Sequence, residues 1–223
     1  TDLPAALRPI GCSTQVETIV VDGGSVDATV DVARTHGVTV VQSEPSRAVQ
    51  LNAGAKAARG EVLLFLHAGT RVPFGYRQSI ERLLDHPKTI AGAFPLAFDD
   101  TRFSLRLIEA GANLRSRLRQ LHYGDQALFM KRHIFNEFGG FRELPVMEDY
   151  DLVRRLRKHG RIALADTPVL TSARRWLRYG IWRTTFNHQR LLLAWNLGVS
   201  SQCLKQIRVS CVAFQLESLG RFF

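Results

Sequence analysis

Apolar runs and amphipathic stretches alternate along the first hundred residues. Continuous apolar runs, each followed by glycine or polar residues, predict buried strands over 16–21, 38–42 and 61–67. Apolar and small residues at helical spacing predict helices over 27–36 and 47–59. Because strands that alternate with helices are typical of βαβ units, the pattern predicts an α/β fold with a mostly parallel sheet and helices on both faces.

The later part of the chain is less regular. Two more strands are expected over 90–98 and 126–130. Further helices are expected over 3–9, 76–84, 104–121, 149–158, 178–197 and 204–219. In the last of these, the apolar residues that fall on one helical face are Leu204, Ile207, Cys211, Phe214 and Leu219. This stripe favours a contact in the core or in a homodimer, and the alternative is a helix that lies on a membrane.

The composition favours one globular domain, placed at residues 1–198, followed by a tail over 199–223. Of the 223 residues, 45% are hydrophobic and 22% are charged, which allows a sizeable core. Three cysteines without zinc-like spacing favour a reducing, cytoplasmic compartment, and these are Cys12, Cys203 and Cys211. No apolar run is long enough to cross a bilayer, and the first residues do not resemble a signal peptide.

All of the net charge of +10 lies in the last third of the chain. Residues 1–150 hold 17 basic and 17 acidic side chains, whereas residues 151–223 hold 13 basic and 3 acidic ones. A basic end suits phosphates, nucleic acid or an acidic membrane surface, such as the inner face of a membrane, and a solvated helical face is the alternative. No nucleic-acid-binding signature accompanies the charge, so we expect no nucleic acid partner.

Polar residues that could bind a nucleotide follow the first predicted strand. Asp22 ends that strand, and Gly23, Gly24 and Ser25 lead into the next helix. In α/β proteins nucleotides bind at this end of the sheet, where a carboxylate can hydrogen-bond a ribose and glycine lets the backbone approach the ligand. An ordinary turn in which Ser25 caps the helix is the alternative.

Three further places carry candidate chemistry. Arg47 and Asn52 lie on one predicted helix, where a guanidinium suits a diphosphate. The alternatives are a solvent-exposed arginine and an asparagine that bonds to the backbone. His67 ends the third predicted strand. Glu148 and Asp149 open a helix, whose N-terminus stabilises carboxylates whether or not they act in catalysis.

Six ordered strings of residues span about 16–198 and lie at 20–29 (VVDGGSVDAT), 46–55, 63–70 (LLFLHAGT), 123–127 (YGDQA), 147–156 (MEDYDLVRRL) and 171–176 (TSARRW). In this order they resemble the family 2 nucleotide-sugar glycosyltransferases, and most closely a bacterial subgroup of them. The resemblance implies a three-layer α/β/α GT-A fold, similar to a Rossmann fold. It also implies transfer of a sugar from a nucleoside diphosphate, most commonly a UDP-sugar, to a sugar or lipid acceptor.

The resemblance implies roles for individual residues. Those that would contact the donor are Asp22, Gly23, Arg47, Asn52, His67 and Arg175. Asp149, beside Glu148, would take the proton of the acceptor hydroxyl in an inverting transfer. Asp125 would contact the acceptor, unless it is only a turn residue. Ser172 stands where processive relatives carry glutamine, which disfavours synthesis of long polymers.

Two departures from the family pattern bear on the mechanism. Relatives carry an aspartate that coordinates a divalent cation, Mg²⁺ or Mn²⁺, where this chain has Gly69, and glycine offers no side-chain ligand. A catalytically impaired protein that still binds a nucleotide sugar is therefore the alternative to an enzyme. Relatives also begin with a strand that lies in mid-sheet. This first strand is expected to be absent here, which would expose two strand edges. We therefore expect that the natural protein has the strand, or that residues 1–15 or a partner substitute for it.

Overall fold

The structure is a computed structural model that describes residues 3–8, 10 and 15–206. It divides into two compact units. The first comprises Thr1–Glu143 with Glu148–Ala173, and the second comprises Leu144–Met147 with the chain from Arg174 onward. The predicted domain boundary after residue 198 stays a prediction. Residues that the sequence singled out but that lie outside the described ones are Cys12, Ile207, Cys211, Phe214 and Leu219.

Strands and helices alternate in the first unit as the sequence predicts. Its strands are β1 (Ile19–Asp22), β2 (Thr39–Gln42), β3 (Val62–Leu64), β4 (Thr70–Arg71), β5 (Thr89–Ala93), β6 (Leu96–Phe98), β7 (Phe129–Lys131), β8 (Arg161–Leu164) and β9 (Val169–Thr171). Its helices are α1 (Leu3–Leu7), α2 (Thr29–Thr35), α3 (Arg47–Ala57), α4 (Tyr76–Leu84), α5 (Phe103–Arg119), α6 (Arg132–Glu137) and α7 (Glu148–Leu156). A short 3₁₀ turn, Gly124–Gln126, precedes β7.

The strands form three hydrogen-bonded groups. Their orders are β1-β2, β3-β7-β5-β8 and β4-β9-β6. The pairs β1–β2, β5–β8 and β6–β9 are parallel, whereas β3–β7, β5–β7 and β4–β9 are antiparallel. The described sheets are therefore mixed, with three parallel and three antiparallel pairs, because an apolar run predicts that a strand is buried and does not record its direction.

Helix α3 connects the first two of these groups. A Cβ on Gly54 would meet Val21 of β1 at 3.0 Å, and Ala48 and Ala55 share a buried cluster with Leu63 of β3. Within the described strands, β1 bonds only to β2, and β3 bonds only to β7. The strand over 38–42 was expected to be buried on both faces, but β2 is exposed or half-buried along its length.

The main core positions the start of α7. Leu152, Val153 and Leu156 are at most 1% exposed and pack with Met130 of β7 and Ile162 of β8. Burying side chains of this size stabilises a fold by about 2 kcal/mol each. Because this apolar face is fixed against the sheet, the acidic first turn of α7 is fixed as well.

The second unit contains two successive helices, α8 (Arg174–Tyr179) and α9 (Ile181–Asn196). The sequence predicted one helix over 178–197, but Gly180 has a φ of +88° and separates them. Leu191 of α9 packs in a small core with Val146 and Leu204. Among the described residues, none of the helices combines the length and apolar character that crossing a bilayer requires.

Candidate active site

Asp22 closes the turn that follows β1. Its carboxylate accepts hydrogen bonds from the backbone N–H of Gly24 at 3.0 Å and of Ser25 at 3.1 Å. Hydrogen bonding by the Ser25 side chain, and to a smaller extent by these amides, lowers the pKa of Asp22 although burial opposes the shift. The charged carboxylate thus stabilises its own turn. A contact between Asp22 and a ribose stays a prediction.

Gly23 lies tightly against helix α3. A Cβ at this position would meet Nε2 of Gln50 at 2.8 Å. The same amide nitrogen donates to the backbone carbonyl of Val21 at 3.3 Å. Glycine is therefore required for packing between the turn and the helix, independently of any ligand. The predicted role of Gly23 in donor binding remains untested.

Arg47 and Glu148 form an ion pair between the first residues of α3 and α7. Nη1 of Arg47 donates to Oε1 of Glu148 at 3.1 Å. The side chain of Glu148 is 3% exposed, whereas that of Arg47 is 40% exposed. Burial, followed by the charge of Asp149, raises the pKa of Glu148, and the guanidinium of Arg47 opposes this shift. Arg47 therefore compensates a buried carboxylate while part of its guanidinium faces solvent.

Asp149, the second residue of α7, is held by backbone amides. The N–H of Gly124 donates to Oδ2 at 2.6 Å, and the N–H of Tyr150 donates to Oδ1 at 2.7 Å. Gly124 lies between Asp149 and His67, since a Cβ on Gly124 would meet His67 Nε2 at 2.9 Å and Asp149 Oδ2 at 3.0 Å. The absence of a side chain at Gly124 therefore lets its amide reach the carboxylate and brings His67 close to it.

A buried glutamine fixes the turn that carries Gly124. Gln126 is fully buried, and its Nε2 donates to the carbonyl of Phe94 at 3.1 Å. Its Oε1 accepts from the backbone N–H of Tyr123 at 3.2 Å and from the hydroxyl of Ser116 at 3.1 Å. Because these bonds tie the turn to β5 and α5, the amide of Gly124 points at Asp149 from a rigid base.

Asp125 adds a second carboxylate beside Asp149. Burial, followed by the charge of Asp149, raises the pKa of Asp125 to about 6, while Arg115 and Arg47 act in the opposite direction. Two carboxylates that share a site resist being charged together. Asp125 is therefore far easier to protonate than an ordinary aspartate, and its protonation state depends on pH near neutrality.

Some of these residues line a hollow whose enclosed free volume is about 10 Å³, roughly the space of one water molecule. The polar residues along its wall are Arg47, His67, Tyr123, Gly124 and Asp149, and the apolar ones are Leu51, Phe65, Leu128, Phe141 and Val153. The guanidinium carbon of Arg115 lies 3.8 Å from the centroid of the Tyr123 ring, and burial raises the pKa of Tyr123 to about 12. Polar groups that converge among apolar side chains are the kind of lining that small-molecule sites have.

The family model for Glycosyl transferase family 2 matches residues 8–144, which is more than half of the chain. The chain belongs to this family. The hollow beside Asp149 is the candidate active site. A search of curated protein sequences gave no significant match.

Solved glycosyltransferases share the fold of this one. TarS 1-349 from S. aureus is 17% identical with a TM-score of 0.58, over 82% of this chain and 59% of that chain. TarS has also been solved with UDP-GlcNAc. Mannosyltransferase PcManGT from Pyrobaculum calidifontis, solved with GDP-Man and Mn²⁺, is 18% identical with a TM-score of 0.58, over 77% and 52% of the two chains.

Glucosyl-3-phosphoglycerate synthase from Mycobacterium tuberculosis is 16% identical with a TM-score of 0.54, over 77% of this chain and 64% of that chain. At such identities the likeness shows the fold alone, and it confirms the predicted GT-A fold class. This glycosyltransferase spans less than two thirds of the length of each of these structures.

Asn52 of the glycosyltransferase makes the backbone contacts that the sequence left open as its alternative. Its Nδ2 donates to the carbonyl of Phe141 at 2.8 Å, and its Oδ1 accepts from the N–H of Phe141 at 3.0 Å. Both ends of the amide are thus used to join α3 to the turn before α7. A direct contact of Asn52 with the donor stays a prediction.

The described part of the chain does not bring together a metal site made of side chains. Among the described residues, no group of three or more histidine, cysteine, aspartate or glutamate side chains is placed to hold a metal ion. Gly69 lies two residues beyond His67, and its carbonyl accepts from the backbone N–H of Ser172 at 2.9 Å. A cation held mainly by protein carboxylates therefore does not fit this site.

The basic string over 171–176 has its first three residues in the first unit and its last three in the second. Arg175 is exposed on α8, in the second unit. The neighbouring Trp176 is 7% exposed, its Nε1 donates to Oγ1 of Thr185 at 3.3 Å, and its ring packs edge-on against His188. Trp176 therefore joins α8 to α9. The role of Arg175 in binding a diphosphate stays a prediction.

Sequence reasoning missed two contacts at the site of the glycosyltransferase. They are the hydrogen bond from Gly124 to Asp149 and the stacking of Arg115 on Tyr123. The string at 123–127 contained the relevant signal, because a glycine between an aromatic and an acidic residue marks a place where the backbone comes close to another group. The partner of that backbone lies 25 residues further along the chain and cannot be read from a local pattern.

Proposed function

We propose that this glycosyltransferase moves the sugar of a nucleoside diphosphate sugar, with UDP-sugars the first donors to test, onto an acceptor hydroxyl with inversion at the anomeric carbon. The observation that carries the proposal is the carboxylate of Asp149 at the wall of the hollow, fixed at 2.6 Å by the amide of Gly124. The UDP-GlcNAc and GDP-Man bound in the TarS and PcManGT structures support a nucleotide-sugar donor.

The reaction is a single displacement. The oxygen of the acceptor hydroxyl attacks the anomeric carbon, and the bond from that carbon to the diphosphate oxygen breaks on the opposite side. The bonding electron pair leaves with the nucleoside diphosphate, and the hydroxyl proton passes to the carboxylate of Asp149, which acts as general base. Because one bond forms on the face opposite the one that breaks, the anomeric configuration inverts.

Arg47 and Glu148 support this reaction as a pair. The exposed part of the Arg47 guanidinium is available to the departing diphosphate, since it bonds Glu148 through Nη1. Glu148 then orients Arg47 and need not touch the substrate. Arg175 is the further cation that the family resemblance assigns to the diphosphate. The acceptor is a sugar or a lipid, and Ser172 in place of glutamine favours transfer of single sugars over a processive reaction.

The variant Asp149→Asn tests the general base. It should lower kcat by about 10²- to 10⁴-fold, the usual contribution of a positioned base, and leave the affinity for UDP nearly unchanged. Product formation from a UDP-sugar and UDP binding by calorimetry measure the two effects. Asp85→Asn removes a carboxylate from an exposed position and serves as the matched control. Equal turnover in Asp149→Asn and the wild type would remove Asp149 from the mechanism.

A second candidate function is a nucleotide-sugar-binding protein that has lost catalysis. It is favoured by one observation, which is that Gly69 supplies no ligand and the described residues form no metal site. Calorimetry with UDP, with and without Mn²⁺, combined with a turnover assay separates the two functions. Binding without turnover, together with turnover gained by Gly69→Asp in Mn²⁺, would show an impaired enzyme. Turnover by the unaltered protein would dismiss this alternative.

A further inference from the structure

Helix α9 carries apolar side chains on two opposite faces. On the inner face, Leu191 is 9% exposed and packs with the small core of the second unit. On the outer face lies a stripe of exposed residues, here called the outer stripe, which consists of Trp182 (62% exposed), Phe186 (65%), Leu193 (62%) and Leu197 (76%). Their spacing of four, seven and four residues places them in one row along the helix.

A helix that is apolar on both faces is usually covered on both. The outer stripe is exposed along the full length of α9, and exposed aromatic and aliphatic residues in one row mark a contact surface. The charges around the outer stripe indicate which kind of surface covers it.

The surroundings of the outer stripe are basic without interruption. Arg183 and Arg190 are exposed on α9, and the guanidinium carbon of Arg190 lies 6.0 Å from the centroid of the Phe186 ring. No acidic residue occurs between Asp166 and Glu217 in the sequence. The basic residues within that interval are Arg174, Arg175, Arg178, Arg183, Arg190, Lys205 and Arg208.

We propose that the outer stripe of α9 lies on an anionic lipid surface. Its tryptophan, phenylalanine and leucine side chains enter the boundary between headgroups and acyl chains, and the arginines beside them contact lipid phosphates. The helix lies in the plane of the membrane and does not cross it. This inference concerns where the protein docks and is independent of the proposed sugar transfer.

A second copy of the chain is a poorer occupant than a lipid surface. In a two-fold dimer the same patch appears on both subunits, so the basic patch that holds Arg183 and Arg190 would be packed against its own copy. The interval between residues 167 and 216 offers no acid to compensate them. Like charges brought together across an interface oppose association, whereas anionic lipid attracts every one of these cations.

Vesicle flotation tests the proposal. The wild type should float with vesicles of phosphatidylcholine and phosphatidylglycerol and should float poorly with phosphatidylcholine alone, and salt should weaken the binding. The double variant Trp182→Ser/Phe186→Ser should lose flotation. The double variant Arg183→Gln/Arg190→Gln should bind the anionic vesicles about 25-fold more weakly, since each cation near such a surface contributes a factor of about five.

Two matched controls distinguish binding through the outer stripe from nonspecific hydrophobic binding and from nonspecific attraction by charge. Phe103→Ser/Leu107→Ser removes an exposed aromatic and an exposed leucine with the same spacing from α5, and it should float like the wild type. Arg34→Gln/Arg82→Gln removes the same charge from two other exposed arginines and should also float.

Three outcomes would overturn the proposal. One is a wild type that fails to float with the anionic vesicles. Another is equal loss of flotation in the α5 control and in Trp182→Ser/Phe186→Ser. The third is a dimer that forms with increasing concentration in analytical ultracentrifugation and that Trp182→Ser/Phe186→Ser abolishes, together with a wild type that does not bind vesicles. Because the replaced side chains are exposed, circular dichroism should show the same melting for all variants.

Discussion

Replacing Asp125 with asparagine should stabilise the glycosyltransferase at neutral pH and change it little near pH 4. Burial, followed by the charge of Asp149, raises the pKa of Asp125 from 3.8 to about 6 in the folded protein. The folded state therefore binds this proton more tightly than the unfolded state does. The stability that goes with the protonated carboxyl is present below pH 3.8 and is lost as the pH rises through about 6. Asparagine resembles the protonated carboxyl at every pH.

The magnitude follows from the size of the shift. A rise of about two units in pKa corresponds to a stability difference of about 3 kcal/mol once the pH exceeds both values. Between about pH 4 and pH 7 the difference between variant and wild type should grow by about 2 kcal/mol, because part of the titration in the unfolded state is already complete at pH 4. Asp125 is only partly buried, so solvent screening places the expected growth between about 1 and 2 kcal/mol.

Urea unfolding of both proteins at a series of pH values measures this quantity directly. The free energy of unfolding of Asp125→Asn, minus that of the wild type, should rise with pH. Asp85→Asn, which removes an exposed carboxylate, should give a difference that does not vary with pH over the same range. A flat difference for Asp125→Asn, or one that falls as the pH rises, would refute the conclusion that Asp149 and burial disfavour the charged form of Asp125.

Two further predictions concern buried ionisable groups. Burial lowers the pKa of His122 to about 4, so protonation of this ring should subtract about 2–3 kcal/mol from the free energy of unfolding as the pH falls from about 7 to 4. His122→Leu should remove that acid-dependent loss in urea unfolding, and a variant as acid-sensitive as the wild type would contradict the shift. Arg47→Gln should lower the free energy of unfolding by about 2 kcal/mol, because it leaves Glu148 buried without its cation. The double variant Arg47→Gln/Glu148→Gln should recover part of this loss of stability. A double variant no more stable than Arg47→Gln would show that the pair does not compensate Glu148.

Local patterns predicted those elements that carry their own start and end signals. The helix Tyr76–Leu84 was predicted to the residue, because Pro73 and Gly75 mark its start and apolar residues at helical spacing fill it. Asp22 was predicted correctly at the end of a strand and before a turn, since an apolar run stops there and glycines follow.

The bounds of the other strands and helices were predicted less accurately. The predicted strand over 90–98 is divided into β5 and β6, which belong to different sheets, because Pro95 has no N–H to continue the ladder. The predicted helix over 178–197 is divided at Gly180. The short strands β4, β8 and β9 and helix α6 were missed, since two to six residues give too little periodicity to detect.

The candidate site could likewise be predicted only where the signal is local in the sequence. Its residues could be named one by one from strand ends and helix starts, but their partners could not. Arg47 and Glu148 are 101 residues apart, and Asn52 and Phe141 are 89 residues apart. Both pairs connect α3 to the segment that begins α7, so the fold itself, and no local motif, decides that Arg47 is tied to a carboxylate.

The charges of the site suggest that Gly69 has a second effect besides the loss of a cation ligand, which is on the repulsion between the protein and a diphosphate. Glu148, Asp149 and Asp125 lie close enough to Arg47 for their charges to interact, and Arg115 acts on Asp125 as well, so an approaching diphosphate meets carboxylates beside these cations. A carboxylate about 5 Å from a phosphate charge repels it by about 3 kcal/mol at an effective dielectric constant of about 20. If position 69 lies beside the diphosphate, as the family resemblance implies, glycine removes that repulsion together with the cation ligand. Gly69→Asp should therefore weaken UDP binding in the absence of Mn²⁺ and strengthen it in its presence, and this opposite response to the ion follows from placing residue 69 at the diphosphate.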